Sequence, residues 1–261
     1  MMVRDAIERL GANTTSLVHE LGRIAVFSAA TAAGVARPAF WLLPRFVREI
    51  FDTGVLSLPI ILLSGLTVGM VLGLQLFWVL TVFGAETSLG GVVGATLVRE
   101  LGPVLTGLLV TGRAGSAMAA EIAVMNATEQ LDGMKTMAMD PVRFVIGPKS
   151  LAMVFCMPLL NGLFICAALG GTWLIAVKLL GLDSGIFFQD LYDGVDWEKD
   201  VVGTMIKAIV FGALVALIAT YRGFTSGRSA EEVSRATTST VVTASVWILL
   251  ADFVVTSLWK F

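Results

Sequence analysis

Five long apolar runs, each of about 20 residues or more and none alternating in polarity, set the first constraint on what this 261-residue chain can fold into. About 20 apolar residues in a helix rise far enough to cross the hydrocarbon core of a bilayer. Inside that core every backbone N–H and C=O must find a partner within the segment or within a closed barrel. A barrel would be written as segments of about 10 residues that alternate in polarity. These runs are continuous instead, at about 55–83, 89–111, 151–180, 201–220 and 237–259. The expected fold class is therefore all-α, a polytopic membrane protein of five transmembrane helices, with residues 53–261 as the membrane domain. A 56% share of apolar residues and a 15% share of charged ones exclude an ordinary soluble globule. The net charge of −2 leaves no electrostatic footprint for nucleic acid.

Lys and Arg in the short loops set the orientation. The first 52 residues carry Arg4, Arg9, Arg23, Arg37, Arg45 and Arg48; the segment after the second run carries Arg113, Lys135, Arg143 and Lys149; the loop after the fourth carries Arg222, Arg228 and Arg235. All three are expected on the cytoplasmic side. In contrast, 181–200 holds Lys199 against Asp183, Asp190, Asp193, Asp196, Glu198 and Asp200, and belongs outside. With five spans the N-terminus is then cytoplasmic and the C-terminus lies on the far side. Residues 1–52 read as an interfacial arm. The stretch 24–36 is apolar but too short to span, and in 40–52 Phe46, Val47, Ile50 and Phe51 share one helical face opposite Arg45, Arg48 and Asp52, with Trp41 as an interface anchor. Packing against a soluble partner would need the same pattern.

Charges inside the spans are the candidates for function, because an ionised side chain near the bilayer centre costs roughly 2.5–3.5 kcal/mol even on lenient insertion scales. At about 1.5 Å per residue, Lys207 and Asp252 lie about 9 and 10 Å below the outer ends of consecutive spans and can pair. Gln75 lies about 12 Å deep in the first span, and Arg99 and Glu100 about 15–17 Å deep in the second. Neighbours on a helix point about 100° apart, so Arg99 and Glu100 satisfy each other badly and need a partner, a wet cavity or a ligand. Lys207 and Asp252 admit a purely structural role as interhelical glue, whereas the planar guanidinium of Arg99 suits a phosphate headgroup. Gly65, Gly69 and Gly73 recur every four residues and make a smooth stripe that suits a moving neighbour or a dimer contact. Pro103 and Pro158 each remove a backbone donor from a span.

After the second span, about 116–139 reads as one helix with two apolar stripes, Met118, Ile122, Met125 and then Ala127, Leu131, Met134, Ala138, until Asp140-Pro141 stops it. Adaptable Met surfaces suit an interface that shifts, though packing on its own bundle explains the stripes equally. No GxxxxGK[ST] occurs, His19 is the single histidine, and no Cys/His/Asp/Glu group has ligand spacing; neither nucleotide nor metal has a site here, and nothing suggests an enzyme.

The run Leu97-Val-Arg-Glu-Leu-Gly-Pro-Val-Leu-Thr106, followed by Gly112-Arg-Ala-Gly-Ser-Ala-Met-Ala-Ala-Glu121, Ala127-Thr-Glu-Gln-Leu131 and Met139-Asp-Pro141, resembles the MlaE family of ABC transporter permeases, as do Ser234-Arg-Ala-Thr-Thr238 and Asp252-Phe-Val254. The resemblance covers the chain from the first span to the end. It implies a homodimer working with a cytoplasmic ATPase of the MlaF type that binds ATP and Mg, a STAS-domain protein of the MlaB type and a periplasmic MCE-domain hexamer of the MlaD type. It further implies phospholipid movement between the inner and outer membranes of a Gram-negative envelope, with this chain in the inner membrane and no cofactor of its own. On this reading Arg99, Glu100, Gln75, Lys207 and Asp252 are substrate or gating residues. The helix at about 116–139 becomes the coupling helix, with Glu121, Met125, Glu129, Gln130, Asp132 and Met134 toward the ATPase. An ion-coupled secondary carrier and a non-transporting anchor for an MCE ring remain as alternatives.

Overall fold

The computed structural model describes residues 22–23, 26–29, 31 and 43–258. The readings for His19, Trp41 and most of 24–36 lie outside the described residues. Opposed polar and apolar faces make Leu43–Thr53 a helix, α1. One 3-10 turn later α2 (Leu58–Val82) begins, with Pro59 in its first turn where the missing N–H costs nothing. The second span is a continuous rod: α3 (Leu89–Thr96), a π-helical turn (Leu97–Leu101), α4 (Gly102–Val110), a second π-turn (Thr111–Gly115) and α5 (Ser116–Ala127). After the short α6 (Gln130–Thr136), a π-turn (Val142–Ile146) leads into α7 (Gly147–Trp173), which ends in another (Leu174–Leu179). Then follow α8 (Ser184–Gly194), α9 (Trp197–Phe224) and α10 (Ala230–Leu258). Among the described residues, five helical stretches are long and apolar enough to cross a membrane.

α7 is the central element. It packs on α1 and α2 along one side and on α9 along the other, while α5 lies against α9 and α10. Ile61, Leu97, Met153, Phe164 and Phe211 are buried where these helices meet. Large apolar side chains such as Leu63, Trp78, Phe83, Leu249 and Phe253 stay exposed, as expected of helices whose solvent is lipid. The glycine stripe is used inside the chain. A Cβ on Gly69 would run into the backbone of Ala168, one on Gly65 would meet Phe164 and Ala167, and one on Gly73 would meet Thr172. Thr172 Oγ1 donates to the Gly69 carbonyl at 2.9 Å across that seam. The stripe therefore seats α7, and no second copy is needed to explain it.

Three expectations change. The second span does not stop near Thr111, because its helix runs unbroken to Ala127. The expected single helix at 116–139 is two helices, broken where Glu129 adopts a left-handed backbone (φ 59°). Its apolar stripes face inward: Met118, Ile122 and Leu131 are buried, with Met125 and Met134 packed beside them. Finally, 181–200 is no plain loop. Asp183 caps α8 by accepting from the Ile186 amide at 3.0 Å, and Phe187 is buried against α3, close to Gly90, where any side chain would meet the Phe187 carbonyl.

Candidate functional site

The π-turn Leu97–Leu101 carries Arg99 and Glu100, and Pro103 follows one turn later. In an α-helical ladder the Arg99 carbonyl would accept from residue 103, and proline has no N–H to give while its ring crowds that same carbonyl. The wider turn relieves the crowding, but Pro103 still withholds the α-helical donor from that oxygen. Lys207, from α9, supplies one: its Nζ donates to the Arg99 carbonyl at 2.7 Å. The same ammonium donates to Glu100 Oε2 at 3.0 Å and lies 3.1 Å from Asp252 Oδ1 on α10. Three oxygens thus surround one ammonium whose side chain is 0% exposed. Thr256 Oγ1 adds a longer bond to Glu100 at 3.3 Å.

Arg99 reaches elsewhere. Its Nη2 donates to Asp200 Oδ2 at 2.9 Å, and that oxygen also accepts the Asp196 amide at 2.9 Å in the first turn of α9. A carboxylate there meets the positive end of the helix dipole as well. The Arg99 side chain is still 35% exposed, and its Nε has no partner among the described residues. Two cations, Arg99 and Lys207, therefore share three carboxyl groups, Glu100, Asp200 and Asp252, in the α8 half of the bundle.

The structure brings Arg99, Glu100, Lys207 and Asp252 together and adds Asp200 and Thr256. Asp200 escaped the sequence reading because it looked like one more acid of a solvated loop. Its signal was its place four residues after the helix-capping Asp196. Gln75 does not join them. It lies on the exposed side of α2 and makes no hydrogen bond or ion pair with a described residue.

At the opposite end, the six residues expected to face an ATPase divide. Glu121 accepts from Lys149 at 2.7 Å, and the same ammonium, nearly fully buried, binds Glu49 of α1 at 2.9 Å. Arg113 donates to the Asp52 carbonyl and, at 3.1 Å, to Ser57 Oγ. Glu129 and Asp132 both hold Arg228, at 2.6 and 2.9 Å, which straps α6 to the 225–229 loop. Lys135, and after it Arg228, holds the Asp132 carboxyl below the usual range. Met125 and Met134 are half buried, and Gln130 is exposed. Among the described residues no group of His, Cys, Asp and Glu has the geometry of a metal site.

Comparison with known proteins agrees with this architecture. The family model described as Permease MlaE matches residues 46–258. The intermembrane phospholipid transport system permease protein MlaE of Haemophilus influenzae is 44% identical over 259 residues, 98% of each chain. A probable ABC transporter permease protein of Rickettsia felis is 34% identical over 258 residues, 99% of each. The chloroplastic protein Trigalactosyldiacylglycerol 1 of Arabidopsis thaliana is 34% identical over 212 residues, 81% of this chain and 60% of that protein. Nearly the whole length described by the structure thus falls within one family, and the chain belongs to the MlaE permeases.

Proposed function

We propose that this chain is the permease subunit of an ABC transporter that moves phospholipid between the inner and outer membranes of a Gram-negative envelope and so maintains the lipid asymmetry of the outer one. The full-length likeness to the Haemophilus protein supports the cargo class, and the five spans support the role. The observation that carries the site is Arg99. It is a guanidinium inside a membrane bundle, with one bond to Asp200, an Nε without a partner among the described residues and a third of its side chain open. Arg has five donors in a planar fork, so one carboxylate leaves donors over for a lipid phosphate. Lys207 has three oxygens close around it and no exposure, and acts by holding Glu100, Asp252 and the π-turn in place.

The working assembly on this reading has two copies of the chain in the inner membrane, N-terminus in the cytoplasm and C-terminus in the periplasm. It includes an ATPase of the MlaF type that holds ATP and Mg against α5 and α6, a STAS-domain subunit of the MlaB type and a periplasmic MCE hexamer of the MlaD type. The test is Arg99→Ala in the assembled complex. Co-purifying phospholipid measured by mass spectrometry, and ATP-driven transfer between vesicles, should both fall clearly while assembly stays normal. Unchanged lipid content and transfer would remove Arg99 from the site. The Glu100–Lys207–Asp252 trio also suits a proton relay, and transfer that ignores ATP but collapses with the proton gradient would replace the ATPase reading with that one.

A further inference from the structure

Far from the charge cluster, α9 and α10 part to form a groove of about 250 Å³ lined by Leu214, Leu217, Ile218, Tyr221, Thr243 and Trp247, with Arg222 at its end. Arg222 also lines a second, polar hollow of about 190 Å³, shared with Thr225, Ser226, Arg235 and Ser239. One side chain thus joins an apolar slot to a polar cup. The slot lies on spanning helices, where the surrounding solvent is hydrocarbon, and the cup lies at the end of α9, where headgroups begin.

The charges of the cup single out Arg222. Arg235 is engaged by Glu231 at 2.9 Å, and Glu232, also lining the cup, accepts from Ser229 Oγ at 3.1 Å. The hydroxyls of Thr225, Ser226 and Ser239 donate to backbone carbonyls within their own helices or turns. Arg222 makes no hydrogen bond or ion pair with any described residue, although it is half buried. It is the cation left to receive an anion. Fifteen residues of α9 separate it from Lys207, roughly 22 Å along the helix, so this place is distinct from the Arg99 site.

We propose that this groove is a second, lateral lipid site. It would hold one acyl chain of an anionic phospholipid against Leu217, Ile218 and Trp247 while the guanidinium of Arg222 binds the phosphate, in the leaflet at the α5–α6 end. The volume suits part of one chain and not a whole lipid, so the remaining chain stays in the bilayer. The proposal rests on the membrane-spanning architecture and is independent of the role given to Arg99.

The test uses the full chain in phosphatidylcholine nanodiscs doped with a phosphatidylglycerol that carries a photoreactive acyl chain, with adducts mapped by peptide mass spectrometry. Labelling is expected within 214–222 and 243–247, and excess phosphatidylglycerol should displace it while excess phosphatidylcholine should not. Arg222→Gln should weaken that competition roughly tenfold, the scale of one lost charge-assisted hydrogen bond. Leu217→Trp, which fills the slot but keeps the cation, should abolish labelling there. Arg99→Ala should leave these adducts unchanged, whatever it does to transport. Equal competition by both lipids, or indifference to Arg222→Gln, would overturn the proposal. So would an efficient disulfide between two copies carrying Leu217→Cys, because the groove would then belong to a contact between chains.

Discussion

Lys149 and Lys207 meet the same problem at opposite ends of the bundle, and their surroundings differ in one respect that separates a joint from a site. Each is a fully buried ammonium flanked by two carboxyl groups. The carboxyls of Lys149 come from α1 and α5, and the one on Glu121 is half exposed, so water can serve it if the lysine is lost. Lys207 also holds the backbone oxygen from which Pro103 withholds the α-helical donor. The first lysine, on α7, joins α5 to α1, and α1 already packs on α7 without it. The second repairs a helix and in doing so fixes where Glu100 and Asp252 point.

The largest effect should therefore follow Lys207→Met. Removing one partner of a buried ionic group costs about 3–5 kcal/mol, and here it leaves the mostly buried Asp252 carboxyl and the Arg99 carbonyl without that partner, while Glu100, 39% exposed, keeps access to water. Unfolding of the purified protein in mixed micelles measures it. Pro103→Ala sharpens the assignment. By restoring an N–H near the Arg99 carbonyl it should recover about 1 kcal/mol in the Lys207→Met background, the net worth of one hydrogen bond, and little or nothing in the wild type. If Pro103→Ala changes both backgrounds equally, the repair role of Lys207 is wrong.

Lys149→Met should cost less, about 1–3 kcal/mol, because the lost partner that stays buried is Glu49 alone. Its signature is loss of communication between α5 and α1: transfer should fall relative to ATP hydrolysis in the assembled complex, while lipid content is kept. A loss of stability equal to that of Lys207→Met would erase the distinction between the two lysines.

Much of this was readable in advance, and the parts that were not share a cause. The five spans are legible because apolar length is a local property. The meeting of Lys207 with Asp252 is legible because depth on consecutive helices follows from residue counts. Gln75 lies apart from the charge cluster despite its similar depth, since depth says nothing about which face of α2 a residue takes. Lys149 and Asp200 look like loop charges in the sequence because their burial depends on what folds over them: α1 and α5 in one case, the α3–α4 rod in the other. The break at Glu129 has no local sign, because a left-handed glutamate survives only where surrounding contacts hold it. α8 is hard to see in the sequence because 11 residues within a stretch holding six acids resemble a solvated loop until Phe187 packs beside Gly90 of α3.

The smallest expected effect lies at the Arg228 strap, which has the form of an ionic joint without the burial. Arg228, Glu129 and Asp132 are all well exposed, so water and salt screen them, and Arg228→Ala should leave global unfolding unchanged. What it should change is local. α6 is held to the 225–229 loop by this guanidinium, while the end of α5 is held there separately by Asn126 Nδ2 donating to the Ser226 carbonyl at 2.6 Å, so amide exchange in α6 should quicken in the variant after correction for intrinsic rates. Acid should do the same to the wild type. Lys135 and Arg228 depress the Asp132 carboxyl, so its contribution is present above the unfolded value, about 3.9, and is lost as pH falls through the lower folded one. Arg228→Ala should reduce that acid response in α6 only in part, because Lys135 is the larger cause of the depressed carboxyl, and should leave α7 untouched. If exchange in α7 near Lys149 quickens to the same degree, the exposed strap and the buried joint form one unit, and the contrast drawn from burial fails.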